Sequence, residues 1–307
     1  MPLETPIAFC IFNRPEVTQR VFAAIAEAKP KRLLIIGDGP REDRPGEAEL
    51  VEQTRSVVER IDWACEVQTN FSQQNLGCGK RIATGLTWAF EQSEELIILE
   101  DDCLPHPSFF TYCESLLSRF RDDERIMMIS GDNFQPHRRT DKSYYFSHWP
   151  HIWGWASWRR AWNHFDLEIE SWPDAKSNGQ LDASFIAQDE QAFWSDVFDQ
   201  IRLGKIDTWD FSWAYACWKN NALSVLPETN LVSNLGFGDS ATHTLDPMSR
   251  LANLPVSAIG NLKHPDAIIR NLEADEYTWR NIISPPVEPT PQARKKKWYR
   301  RLFRKSA

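Results

Sequence analysis

The stretch IILEDDCLPHP, Ile97 to Pro107, sets three consecutive carboxylates at the end of an apolar run. Like charges side by side repel one another, and a strand needs none of them. Capping a helix that starts near Pro107 would occupy Asp101 or Asp102. The other two would stay unexplained, because a charge closing a fully buried strand is costly unless something compensates it. A hard divalent ion, Mn²⁺ or Mg²⁺, resolves the repulsion by taking one or two of the carboxylates and completing its shell with water and a diphosphate.

Outward from this stretch, strands and helices alternate. PIAFCIF (Pro6 to Phe12) is a short apolar run ended by NRPE, where Pro15 suits the first turn of a helix reaching about Ala28. RLLIIGDG (Arg32 to Gly39) reads as a second buried strand with a turn. Glu47 to Ile61 has helical spacing, ACEVQTN is a strand, Cys78 to Gln92 is a helix, and ELIILE is a fourth strand. A helix over Ser108 to Phe120 and a strand in RIMMISGDN follow. This pitch predicts βαβ units and a mostly parallel sheet covered on both faces. Ligands of such sheets bind beyond the carboxyl ends of the strands. Asn13, Arg14, Asp38, Asn75 and the triplet Glu100, Asp101 and Asp102 are therefore expected along one edge.

NLGCGKRIATG (Asn75 to Gly85) fails both phosphate-loop patterns: Gln74 and Arg81 stand where Walker A needs Gly and Ser/Thr, and Ile82 replaces the third dinucleotide glycine. What remains is a helix N-terminus whose Lys80 and Arg81 could face a phosphate, or an ordinary loop with a basic first turn. Ten of the fourteen tryptophans lie between Trp149 and Trp218. Most are read as core, although an aromatic wall beside a polar edge would also suit a sugar.

The formal charge of −8 over 307 residues argues against nucleic acid as a partner. Eight Lys/Arg fall in RKKKWYRRLFRKSA, from Arg294, so the rest carries about −16. If that tail is helical, Trp298, Tyr299, Leu302 and Phe303 make one apolar stripe among cations, fit for weak contact with an anionic membrane face. SPPVEPTPQ before it reads as a linker. Six scattered cysteines without a CxxC pair suggest reduced thiols and no structural zinc. With no leader pattern and no apolar run near ~18 residues, a cytoplasmic protein is expected, with the tail at the inner membrane face.

Several of these segments carry a resemblance. IAFCIFNRPE, IIGDG, GKRIATGLTWAF and LIILEDDCLPHPSFFTY follow the order and spacing of GT-A glycosyltransferases, and LEDD with its following Pro and FFTY resembles the N-acetylglucosaminyltransferase I family. The similarity runs on, more loosely, through MMISGDN, GWASW, WDFSW and GDSATHT, from about Pro6 to Thr244. It implies an α/β GT-A (nucleotide-diphospho-sugar transferase) fold with a mostly parallel, Rossmann-like sheet and helices on both faces. The catalytic domain would cover 1–283, with a nucleotide-sugar half to about 135, a Trp-rich acceptor half from about 136, and linker and tail over 284–307.

The resemblance also implies roles. Asp102 matches the direct metal ligand, and Glu100 and Asp101 its companions near the ribose and the water shell. Asp38 matches the acceptor of a hydrogen bond from the nucleotide base, with Arg14 beside it. Asp210 falls in the catalytic-base region, although the family has two adjacent acids where this chain has Asp210 and Phe211. His243 matches a histidine of the donor-site loop, a second metal or diphosphate contact.

A carboxylate base is needed on chemical grounds too, because a sugar hydroxyl is a poor nucleophile at neutral pH. Asp210, between Trp209 and Trp213, could serve, or could be a helix N-terminal Asp favoured by the dipole; Asp207 and Asp132 are rivals. The expected function is a metal-dependent transfer of a sugar from a nucleoside diphosphate, UDP first, to a hydroxyl of a glycan or lipid-linked acceptor, with inversion. The alternatives are a sugar-1-phosphate nucleotidyltransferase, which should carry a Gly-rich basic loop where this chain has NRPE, and a non-catalytic carbohydrate-binding protein.

Overall fold

The structure is a computed structural model that describes residues 2–237 and 249–284. His243, the linker and the basic tail lie outside the described residues.

Strand β1 (Ile7–Ile11) is buried at every position, and β2 (Arg32–Gly37) and β4 (Glu95–Glu100) nearly so, as their unbroken apolar sequences require. They pair in parallel, Ile7 with Leu33 and with Ile97. Strand β3 (Glu66–Phe71) pairs parallel with β2 and forms an edge, which accounts for its polar, largely exposed sequence. Between them run α1 (Pro15–Ala28), α2 (Glu47–Val57) and α3 (Cys78–Gln92). Helix α1 begins on Pro15, buries Thr18, Val21, Phe22 and Ile25, and ends where Lys29 turns left-handed at φ 49°.

The short β5 (Cys103–Pro105) and α4 (Ser108–Phe120) follow the triplet. Strand β6 (Ile126–Ser130), β7 (Tyr144–Ser147), β8 (Trp155–Trp158), β9 (Leu223–Pro227) and β10 (Val232–Asn234) complete the strands. Helices α5 (Arg159–Trp162), α6 (Trp172–Ser177), α7 (Gln188–Arg202), α8 (Asp210–Lys219) and α9 (Leu272–Thr278) belong to the second half. Eight strands form one sheet in the order β3-β2-β1-β4-β8-β6-β9-β7, and β10 pairs with β5 apart from it. The α/β expectation holds. The sheet is mixed, however, because β8 inserts antiparallel between β4 and β6 and β7 runs antiparallel to β9.

Alternation along each strand divides the core into two layers. Ile7, Phe9, Leu33, Ile35, Ile97 and Leu99 face α1 and α4, while Ala8, Cys10, Leu34, Ile36 and Ile98 face α3 and the tryptophan-rich layer. Continued by one residue, this period turns Glu100 toward the α3 side. Of the ten tryptophans from Trp149 to Trp218, nine are buried, Trp155 stacking on Trp209 at 5.6 Å, so the core reading holds for all but Trp153.

Candidate active site

Strand β1 ends at Ile11, and the turn before α1 leaves Arg14 at the same edge as the end of β4. The Arg14 guanidinium bridges Asp101 and Asp102, at 2.9 Å from Nη1 to Asp102 Oδ2, and the Asp101 carboxylate also accepts the Phe12 N–H at 3.2 Å. Neither acid caps a helix: β5 intervenes, and α4 starts at Pro107 and Ser108 with no side-chain cap from the triplet. The capping explanation of the three carboxylates therefore fails. His106 Nδ1 instead accepts the Ser108 N–H at 3.1 Å.

One guanidinium does not balance three carboxylates. Burial raises the Asp101 carboxyl above the usual range despite Arg14, and burial together with Asp102 and Asp101 raises Glu100. Asp101 and Asp102 in turn hold the Arg14 guanidinium firmly charged against its burial. Asp102 Oδ1 lies 3.4 Å from Cys103 Sγ, and its backbone oxygen accepts the Leu235 N–H at 2.8 Å. Gly236 then passes so close that a Cβ there would run into the Asp102 carboxylate.

Asp38 follows β2 on the same edge. Its carboxylate accepts backbone N–H groups of Gly39 (2.9 Å), Leu76 (3.0 Å) and Gly77 (3.2 Å), so it ties the loop before α3 to the end of β2. Burial raises its pKa against the pull of those donors. Asn75 completes the tie by donating to the Gly39 carbonyl at 2.8 Å.

The basic pair on α3 separates. Lys80 is exposed in the first turn, whereas Arg81 is buried and donates through Nη2 to Asn70 Oδ1 and its carbonyl, at 2.6 and 2.8 Å. Arg81 thus braces β3 rather than facing a phosphate. The N-terminus of α3 already has an anion: Asp207 Oδ1 accepts the Gly79 N–H at 3.2 Å. That contact draws the 207–210 segment to the sheet edge. Asp210, half-buried at the start of α8, accepts a hydrogen bond from Thr208 Oγ1, and its charge acts on Glu100 and Cys78. Asp132, fully buried beyond β6, accepts the Trp153 N–H at 2.9 Å.

Two contributors escaped sequence reading. Glu47, buried at the start of α2, accepts Asn13 Nδ2 at 2.9 Å and the Arg41 N–H at 2.7 Å and pairs with the Arg41 guanidinium, which fixes the loop after β1. An acid in the first turn of a helix was the available signal, but it is the usual dipole pattern and marks no site. Gly236 had no signal, since only the Asp102 neighbour requires it to lack a side chain.

A comparison with protein-family profiles finds no match to the sequence, and a comparison with curated proteins finds none either. Among solved structures, the chain is similar to a UDP-glucose pyrophosphorylase in complex with UDP-glucose, at 11% identity over 73% of this chain and 90% of that one, with a TM-score of 0.39. It is also similar to the 4-diphosphocytidyl-2C-methyl-D-erythritol synthase of Anaerococcus prevotii DSM 20548, at 8% identity over 52% of this chain and 74% of that one, with a TM-score of 0.32. No described helix is long and apolar enough to cross a membrane.

Proposed function

We propose that the protein is a divalent-cation-dependent glycosyltransferase of the GT-A kind, moving a sugar from a nucleoside diphosphate, UDP first, to an acceptor hydroxyl with inversion. The observation that supports it is the gathering at one sheet edge of Arg14, the Glu100–Asp102 triplet and Asp210, residues remote from one another in the sequence.

The donor set fits an ion completed by its substrate rather than a closed cage. It consists of hard carboxylate oxygens carrying more negative charge than Arg14 offsets. Asp102 would be the ligand, with Glu100 and Asp101 in support, and a bound Mn²⁺ or Mg²⁺ would supply neutralising charge to a diphosphate leaving group. Arg14 fixes the orientation of Asp101 and Asp102. Lys80 adds positive charge at the α3 end of the edge, and Asp38 keeps the loop on the nucleotide side in place, where it can also meet a base. His243, outside the described residues, is assigned to the diphosphate. Asp210 accepts the acceptor hydroxyl proton while that oxygen bonds to the anomeric carbon and the bond to phosphate breaks, its electron pair leaving on the diphosphate.

Incubation with a panel of UDP-sugars, an acceptor library and Mn²⁺ should release UDP, and UDP with Mn²⁺ should raise the melting temperature. Asp102→Ala should lose the Mn²⁺-dependent part of that rise. Absence of UDP release, with an unchanged Mn²⁺-dependent shift in Asp102→Ala, would overturn the reading.

A second reading is a sugar-1-phosphate nucleotidyltransferase, a class of enzyme that also needs carboxylates and a divalent ion beyond the carboxyl ends of the strands. In this chain α1 starts on Pro15 directly after the β1 turn, with no glycine there, and the one arginine of that turn is engaged by Asp101 and Asp102. Pyrophosphate release from UTP and a sugar 1-phosphate, without transfer from UDP-sugars, would establish this reading instead.

A further inference from the structure

On the far side of Asp102 from Asp38, three half-buried aromatic side chains meet. Asp38 follows β2 and the triplet follows β4, while β8 and β6 lie beyond β4 in the sheet. Because β8 is antiparallel, the residues before it reach the same edge as those after β6. There Trp153 packs against Phe134, with ring centroids 5.2 Å apart at 67°, and against Phe237, 5.7 Å apart at 90°. Phe237 directly follows Gly236, which lies against Asp102 and Arg14.

The position of Trp153 is built. Its N–H donates to Asp132 Oδ2 at 2.9 Å, and the next residue, Gly154, turns at φ 72° and accepts the Gly131 N–H at 2.8 Å. Loops 131–134 and 151–154 are thereby locked to each other, and β10, paired with β5, carries Phe237 to them.

We infer that Trp153, Phe134 and Phe237 form a saccharide subsite for the acceptor, an inference that rests on the glycosyltransferase reading. A pyranose offers an apolar C–H face and a polar rim, and needs a large amphipathic ring next to hydrogen-bonding groups. Trp153 is the one tryptophan of the 149–218 region that is only partly buried, packed against the core with part of its surface exposed, and Gly236, the residue before its partner Phe237, lies against the Asp102 carboxylate. A nucleotide base also stacks on aromatic rings, but Asp38 and the turn after β1 stand at the opposite end of the edge. Asp132 acts here as a positioning residue, through the Trp153 backbone.

Saturation-transfer NMR with lactose, cellobiose, maltose and N-acetyllactosamine tests the subsite, with UDP/Mn²⁺ thermal shift measured in parallel. The wild type should transfer saturation to the ring protons of at least one saccharide. Trp153→Ala should weaken that saccharide about tenfold, Trp153→Phe should recover part of the loss, and the UDP/Mn²⁺ shift should be equal in all three proteins, which also reports that each is folded. Unchanged saccharide affinity in Trp153→Ala, or no transfer to any of the four sugars, overturns the inference. So does loss of the UDP shift in Trp153→Ala, which would make the trio a base platform. Saccharide binding through Trp153 with no UDP/Mn²⁺ shift in any protein would sink the transferase reading and leave the subsite standing.

Discussion

The two halves of the sheet solve the same problem with different materials. On the β3-β2-β1-β4 side, aliphatic strands and regular helices alternate in sequence, each strand pairs in parallel, and the polar work is concentrated in turns at one edge. On the β8-β6-β9-β7 side, pairing is partly antiparallel, connections are long, and the layer between helices and sheet is filled by indoles: Trp155, Trp162, Trp209 and Trp213 pack on one another. The first half positions charge and the second supplies bulk. The candidate site lies at their seam, where the 207–210 segment of the second half docks on the α3 N-terminus of the first.

The sharpest way to break that division is at Asp210, the charge that the second half delivers to the first. Asp210→Asn should lower kcat for sugar transfer by ~10²–10⁴, while UDP/Mn²⁺ binding by thermal shift stays near wild type. If Asp210 only favours the start of α8, the variant should lose stability and keep kcat. Asp207→Asn separates the docking role: it removes a charge from the α3 N-terminus and should lower stability by about 0.3–1 kcal/mol with a smaller effect on turnover.

Much of the first half was legible because its physics is local. Pro15 at a helix start, the continuous apolar strands and the helical spacing of Cys78 to Gln92 each report their own conformation, and α1, α3 and α4 have the expected bounds. The edge assignment of Arg14, Asp38 and the triplet follows from the same parallel pattern. The antiparallel insertion of β8 was not legible, because WASW is short, buried on both faces, and carries no sign of direction. The fate of individual side chains was hidden for another reason. Arg81 turns to Asn70, and Arg14 to the triplet, because of partners that only tertiary contact supplies. The tryptophans were read correctly as core in bulk, but which one stayed only partly buried was hidden, because it depends on how the 151–154 loop is held, Asp132 accepting the Trp153 backbone N–H.

A second test weighs bulk against function in the tryptophan layer. Trp155 is fully buried and touches Trp162, Trp209 and Trp213. Trp155→Ala should cost about 3–5 kcal/mol in denaturant unfolding, with Trp155→Phe recovering much of it, and the folded fraction should bind UDP/Mn²⁺ as the wild type does. Lost nucleotide affinity at unchanged stability would mean that these indoles line a site after all.

The smallest expected effect is the part of the pH dependence that one histidine of the second half contributes. His148 is buried, stacks on Trp218 at 5.1 Å and 16°, and lies 3.4 Å from Glu190 Oε1; neither ring nitrogen has a hydrogen-bond partner among the described residues. Burial lowers its pKa to about 3, against Asp275, which raises it, and with Arg270, which lowers it further. An unfolded histidine titrates near ~6.5, so the unfolded chain takes up a proton first, and stability present above that pH is lost as pH falls toward 3. His151, likewise lowered to about 3 by burial and then by His148, adds a loss of the same sign. The buried carboxyls of Asp132 and Glu190, raised by burial, act oppositely, losing their contribution as pH rises. His148→Phe keeps an aromatic ring against Trp218 and removes one titration. Its melting temperature should therefore fall less steeply than that of the wild type between about pH 6.5 and 4.5, with the remaining slope shared among His151 and the raised carboxyls, Glu100 and Asp101 of the first half included. Parallel curves for the two proteins would show that His148 is not held neutral, and would return the pH response to the charged edge of the first half.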